Sequence, residues 1–186
     1  MPSEKQDLRV IKTHNAIRTA FIALLQENAY ENISVQDILD KALVNRNTFY
    51  KYYSGKSALA GAMIEDFRHR YEMLMNERFS TNVSLNKLLE ISAQLFDYRN
   101  ELLALWAIKT KRHHLYDDMF FILKEKFIRY AQSKYPSTQP QDWDYQGELF
   151  ATMMAMSSRY YFSRNQPVPI KEMLKHWQQV IDLSTI

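Results

Sequence analysis

Residues 33–59 read ISVQDILDKALVNRNTFYKYYSGKSAL, and this stretch decides the fold. Ser34 with Asp37 three residues on resembles a capping box, and Val35, Ile38, Leu39 and Ala42 form a short apolar helix face behind it. A break follows at Leu43-Val44-Asn45, where Asn45 is suited to cap a further helix from Arg46 to about Tyr52. A short helix, a three-residue turn and a second short helix make a helix-turn-helix outline. From Lys41 to Lys56 the chain carries four basic residues and no acid, with Asp37 and Asp40 just before and Glu65 the first acid after. Such a stretch is suited to meet phosphate.

Working outward, residues 8–28 place Val10, Ile17, Ala20, Phe21, Leu24 and Leu25 on one helix face, with Asp7 as the expected N-cap. After Ser54-Gly55 a long helix is predicted from Lys56 to about Glu77. Ser84 is the next cap, for two helices over 85–98 and 99–112, or one bent helix, that carry Leu88, Ile91, Leu95, Leu102, Leu105 and Trp106. A helix from Asp117 ends before Pro136, PSTQPQD is read as a loop, and helices over 142–164 and 169–183 close the sequence. The expectation is an all-α fold of about nine helices.

Composition agrees with this. The chain has 186 residues, 46% hydrophobic and 24% charged, with three glycines, five prolines and a net charge of +3. So few turn-formers leave little room for hairpins or a glycine-rich phosphate cradle. The absence of cysteine excludes disulfides and thiolate metal sites, and with no apolar leader the expected setting is the cytoplasm, associated with the nucleoid, and no membrane. The adjacent His113 and His114 point about 100° apart on a helix and are poorly placed to chelate one ion. Without a P-loop, G-x-S-x-G, H-E-x-x-H or cysteine nucleophile, neither enzymatic activity nor a cofactor is expected.

The quoted stretch resembles the DNA-binding signature of the TetR/AcrR family of bacterial transcriptional regulators. Ile33, Ser34, Val35, Ile38, Ala42, Val44, Thr48, Phe49, Tyr50, Tyr53, Lys56 and Leu59 match it. With the first helix, the resemblance covers residues 8–60. Three positions depart: Leu43 stands at the usual turn glycine, Asn45 at the usual serine cap, and Tyr52 at a frequent histidine. The resemblance implies a helix-turn-helix DNA-binding domain over 1–55 and a helical effector-binding and dimerisation domain over 56–186. It implies that Arg46, Asn47, Thr48, Tyr50, Lys51 and Tyr52 meet bases or backbone in the major groove, with Lys56 on a phosphate. Val44, Phe49 and Tyr53 are read as core.

The end of the chain is similar to the last two helices of a subgroup common in Gram-positive bacteria. Across the family the corresponding helices pair with a two-fold mate. Leu149, Met153, Met156, Tyr160, Leu174, Trp177 and Ile181 are the candidates for that seam. The same domain usually encloses an effector. With 3 Trp, 12 Tyr, 10 Phe and 9 Met available, Phe67, Tyr71, Phe96, Trp106, Phe120, Phe127 and Phe150 are candidate lining for a partly apolar small molecule. The implied function is a homodimeric regulator, most simply a repressor, released from a palindromic double-stranded DNA operator by its effector. The alternative is a DNA binder of the same fold that activates transcription or acts as an adaptor through a protein partner. A purely helical interaction module would have no use for the acid-free basic run.

Overall fold

The computed structural model describes residues 4–136 and 140–184. Among them are nine α-helices, one 3-10 turn and no strand. Helix α1 spans Glu4–Glu27, a 3-10 turn Tyr30–Asn32, α2 Val35–Ala42, α3 Arg46–Tyr50 and α4 Lys56–Arg78. Then come α5 Leu85–Asp97, α6 Arg99–Trp106, α7 Leu115–Lys134, α8 Pro140–Phe162 and α9 Ile170–Ser184.

The expected caps form at three places. The Ser34 N–H donates to Asp37 Oδ2 at 2.7 Å and the Asp37 N–H to Ser34 Oγ at 3.2 Å, closing a capping box with aspartate in the third position. Asn45 Oδ1 accepts from the Asn47 N–H at 2.8 Å, and Ser84 Oγ from the Lys87 N–H at 3.2 Å. Asp7 is not an N-cap, because α1 already runs from Glu4. Glu4, Lys5 and Gln6 are good helix formers that extend the helix without needing an apolar face.

The helix expected over 99–112 stops at Trp106. Thr110 Oγ1 accepts from the N–H groups of Arg112 (3.3 Å) and His113 (2.9 Å), and the Thr110 N–H donates to the His113 carbonyl at 2.9 Å. This local loop competes with helix for the same backbone groups and wins.

The chain divides into two compact units, Met1–His69 with Asn100–Tyr116, and Arg70–Arg99 with Asp117–Ile186. The first has a core of Ile17, Phe21, Ile38, Phe49, Leu59, Met63, Phe67, Leu102 and Leu105, each at most 1% exposed. Burying such side chains supplies about 1.5–3 kcal/mol apiece against the entropy of ordering them. Arg18 on α1 and Asp66 on α4 meet at 2.6 Å, and His14 Nδ1 lies 2.8 Å from the Tyr53 hydroxyl. These polar contacts fix α1 against α4 and the end of the helix-turn-helix. The second unit buries Tyr71, Leu74, Met75, Ile91, Leu123, Trp143, Ala151, Phe162 and Met173. Gly147 on α8 lets that helix approach α7 so closely that an added Cβ would sit 2.8 Å from Ile128 Cγ1.

Candidate nucleic-acid interface

The local fold sets which side chains of α3 are available. Phe49, fully buried, and Tyr53, 5% exposed, anchor it to the core as expected, whereas Val44, also read as core, is only half-buried. With those anchors inward, Arg46, Asn47, Tyr50 and Lys51 are exposed and Thr48 is half-buried. Asn47 and Lys51 have side chains with no hydrogen bond or ion pair among the described residues. Arg46 is held differently: its Nη2 donates to Gln36 Oε1 at 2.9 Å, and Gln36 Nε2 donates to Asp40 Oδ1 at 2.7 Å. A relay through the α2 surface therefore fixes the guanidinium without neutralising it through a direct carboxylate contact. Its remaining donors can serve a base edge or a phosphate.

Tyr50 is 46% exposed and stands edge-on to Phe49, with ring centroids 5.4 Å apart. Tyr52 is half-buried against the His14 ring, 4.4 Å between centroids. Burial depresses the His14 pKa, and the nearby Arg18 charge lowers it further.

Lys56 is turned inward. Its ammonium donates to the carbonyls of Tyr30 (2.6 Å) and Ile33 (2.5 Å), with Glu31 at 3.4 Å, and sits 4.3 Å from the Tyr30 ring centroid. A cation against carbonyls at the end of the 3-10 turn is a favourable placement: the Tyr30 carbonyl, which also accepts from the Ile33 N–H at 3.3 Å, keeps a second lone pair for it. Desolvation lowers its pKa, with Glu31 and Asp37 acting the other way. The basic run gave no sign that one of its four cations ties the backbone together. Nor did the sequence signal the Gln36 partner of Arg46.

Leu43, at the position where glycine was missing, adopts φ 54° and ψ 41° with its side chain 92% exposed. The left-handed turn is made after all. Its N–H reaches the Asp40 carbonyl at 3.4 Å, and the Val44 N–H reaches that of Leu39 at 3.1 Å. These bonds satisfy the end of α2 as a glycine would, at a conformational cost.

The other candidate residues are distributed as follows. Phe67 and Trp106 are buried in the first unit. Tyr71, buried, and the half-buried Phe96, Phe120, Phe127 and Phe150 belong to the second. Phe127 and Phe150 stack at 4.6 Å, and Phe96 packs on Phe162 at 5.8 Å. None of the seven lines either of two open clefts of the second unit, which border Asn76. Of the seam candidates, Leu149, Met156 and Tyr160 are 48%, 62% and 52% exposed. Met153 and Trp177 are half-buried, and Leu174 and Ile181 lie outside the described side chains. No group of three metal-ligating side chains occurs among the described residues. His113 instead packs beside Gly61, with Nε2 2.8 Å from Ser57 Oγ.

This geometry has counterparts. Residues 17–63 match the family model of bacterial regulatory proteins, tetR family. Residues 17–63 thus carry a tetR-type DNA-binding domain. Over 114 residues, 61% of its length, it is 29% identical to the HTH-type dhaKLM operon transcriptional activator DhaS of Lactococcus lactis subsp. lactis (strain IL1403). The match spans about half of that relative, 52% of its length. Among solved structures, the fold is similar to the regulatory protein TetR from Rhodobacter sphaeroides, at TM-score 0.60 and 17% identity over 90% of this chain and 97% of that one. It is also similar to a gamma-butyrolactone receptor described as ArpA-like, at TM-score 0.59 and 17% identity over 96% and 98% of the two chains. At that identity these structures bear on the TetR fold alone. Among the described residues, no helix is long and apolar enough to cross a membrane.

Proposed function

We propose that this chain is a homodimeric, sequence-specific DNA-binding regulator of the TetR family, a repressor that a small-molecule effector releases from a palindromic operator. The observation that carries the DNA-binding reading is α3 itself. Phe49 and Tyr53 lock one side into the core, and Arg46, Asn47, Tyr50 and Lys51 face outward beside an acid-free segment. Arg46 is suited to guanine O6 and N7, Asn47 to adenine, Thr48 to a phosphate or thymine methyl, and Lys51 to a phosphate. Tyr50 and the hydroxyl end of Tyr52 serve as further backbone contacts. The inward Lys56 contributes by fixing the first turn of α4 against the 3-10 turn, so that the helix N-terminus it begins can face a phosphate.

Dimerisation is supported by α8. Leu149, Met153, Met156 and Tyr160 recur at spacings of four, three and four, on one helix face, and three of them are exposed in the single chain. A repeated exposed apolar stripe of this kind is suited to an isologous interface, which on this reading Trp177 of α9 also joins.

Effector control would act through α4, which begins in the first unit at Lys56 and ends in the second at Arg78. An effector with different affinity for two placements of that helix would change the spacing of the two recognition helices. Binding to one face of DNA needs them about 34–36 Å apart. A second reading has a specific observation behind it: DhaS is named a transcriptional activator, so positive control through a partner protein is the competing mode. In either mode the protein works in the cytoplasm.

The deciding experiment is selection of genomic fragments by the purified protein at two salt concentrations. A palindromic motif, bound with a steep salt dependence and with two chains per site, is the expected result. Sequence-independent binding alone would refute the base-reading role of α3.

A further inference from the structure

The second unit holds an open cleft of about 560 Å³ between the C-terminal end of α4 and the C-terminal half of α7. Its walls include Lys126, Arg129 and Lys134, two rings from Phe79 and Tyr130, Asn76 and two hydroxyl side chains, and no carboxylate. On α7 the three cations and Tyr130 share one face, at positions i, i+3, i+4 and i+8. The chain therefore gathers like charges onto a helix face that borders a cavity.

Acids nearby are engaged elsewhere or weakly. Glu77 turns to Lys87 at 2.9 Å, and Glu125 reaches Arg129 at 3.8 Å from an exposed position. Lys126 donates to the neutral Asn76 Oδ1 at 2.5 Å, and Lys134 stands 5.9 Å from the Tyr130 ring. Lys124, on the same helix but outside the cleft, shows the contrast: it holds Asp144 at 3.0 Å and Glu148 at 2.7 Å.

A fourth cation lies behind the ring wall. Phe79 packs against Tyr130 and Phe150, with centroids 5.8 and 6.0 Å apart. The half-buried Arg78 places its guanidinium 5.9 Å from the Phe79 centroid and 5.7 Å from that of Phe150. Its hydrogen-bond acceptor is the Met154 sulfur at 3.8 Å, and no carboxylate pairs with it among the described residues. Desolvation lowers its pKa, as it does for a positive charge without a counter-ion, and the buried Tyr71 beside it is pushed up and stays neutral.

We infer that this cleft is a binding site for a small, multiply charged anion, a polyphosphate or polycarboxylate with room for an apolar portion against Phe79 and Tyr130. Three cations line the walls, a fourth stands behind the rings, and no acid competes for the anion within the cleft. Low dielectric on the ring side strengthens the attraction, and Arg129 supplies a planar fork for paired oxygens. Binding here is independent of whether the ligand acts on DNA.

Isothermal titration of the full-length protein with inorganic pyrophosphate and, separately, with citrate tests this, against sodium chloride at matched ionic strength. Saturable binding of either anion, one per chain, is the expected result. Pyrophosphate alone would assign a phosphate ligand, and citrate alone a polycarboxylate. The double variant Arg129→Gln/Lys134→Gln should weaken binding about tenfold or more, whereas Lys171→Gln on α9 should leave it unchanged. Circular dichroism melts check that both variants fold. No saturable heat at millimolar anion, or equal weakening in both variants, would overturn the inference. Anion binding that leaves operator affinity unchanged would count only against the anion's being the proposed effector.

Discussion

Replacing Leu43 with glycine should make the protein more stable, although it deletes a large apolar side chain. At φ 54° the leucine Cβ crowds its own following carbonyl, a cost of about 1–2 kcal/mol that glycine does not carry. The side chain is 92% exposed, so its removal forfeits almost no buried apolar area. The backbone bonds closing the turn, Leu43 N–H to Asp40 and Val44 N–H to Leu39, survive the change. Against this gain stands the greater freedom of glycine in the unfolded chain, about 0.4–1 kcal/mol. The balance is a gain of roughly 0.5–1 kcal/mol for the variant, obtained by subtracting that entropy from the strain. Urea denaturation followed by circular dichroism should show a higher midpoint at unchanged slope. Leu43→Ala keeps the strain and should change stability by less than about 0.5 kcal/mol, as an exposed substitution does. A Leu43→Gly variant less stable than the parent would refute the left-handed turn, or show that the leucine packs on something in solution.

Four further outcomes follow from particular contacts. Arg46→Ala should cost about 1–3 kcal/mol of operator affinity and relax base preference at one position per half-site, read by fluorescence anisotropy across single-base variants. Lys56→Ala should destabilise the fold by about 1–3 kcal/mol, since it strips a charged donor from the Tyr30 and Ile33 carbonyls, and should leave the salt slope of DNA binding unchanged; a slope flattened by one with stability intact would restore the phosphate role. Gly147→Ala should destabilise by about 1–3 kcal/mol in a thermal melt despite better helix propensity, because its Cβ would meet Ile128 Cγ1 at 2.8 Å. Burial, aided by Arg112, lowers the His113 pKa in the fold. The unfolded chain then binds the extra proton, so His113's contribution to stability is complete above about pH 6.5 and is lost as pH falls toward the folded value. His113→Gln should flatten the stability profile between pH 7.5 and about pH 5, and an unchanged profile would exclude His113 as its source.

What could be read from the sequence depended on whether the decisive interaction was local. Ser34 with Asp37, Asn45 and Ser84 each satisfy backbone donors two or three residues away, so the caps that start α2, α3 and α5 lie in the residue order itself. The apolar period read Phe49 and Tyr53 as core, and the family resemblance supplied Arg46, Asn47, Thr48, Tyr50, Lys51 and Tyr52 as the DNA-facing set, of which the fold leaves Thr48 and Tyr52 half-buried. Thr110 shows the limit even of local reasoning: its hydroxyl holds a loop where a helix was expected to continue through residue 112. Contacts across 20 or more residues were not legible. Lys56 reaches back to Tyr30 and Ile33, and nothing in a run of four cations distinguishes the one that turns inward.

The same asymmetry separates the two ends of the molecule's proposed work. A recognition helix has one constraint, an anchored side and a free side, and a single period expresses it. A ligand site in a helical unit is assembled from several helices at once. Aromatic content therefore named Phe127 and Phe150, which stack on each other, whereas the open cleft is bounded by Phe79, Tyr130 and the cations of α7. Counting aromatics selects what packs well. A site for a charged ligand is marked by what fails to pair, and Arg78, with sulfur and rings around it and no described carboxylate, is visible as unpaired only once the helices are in place.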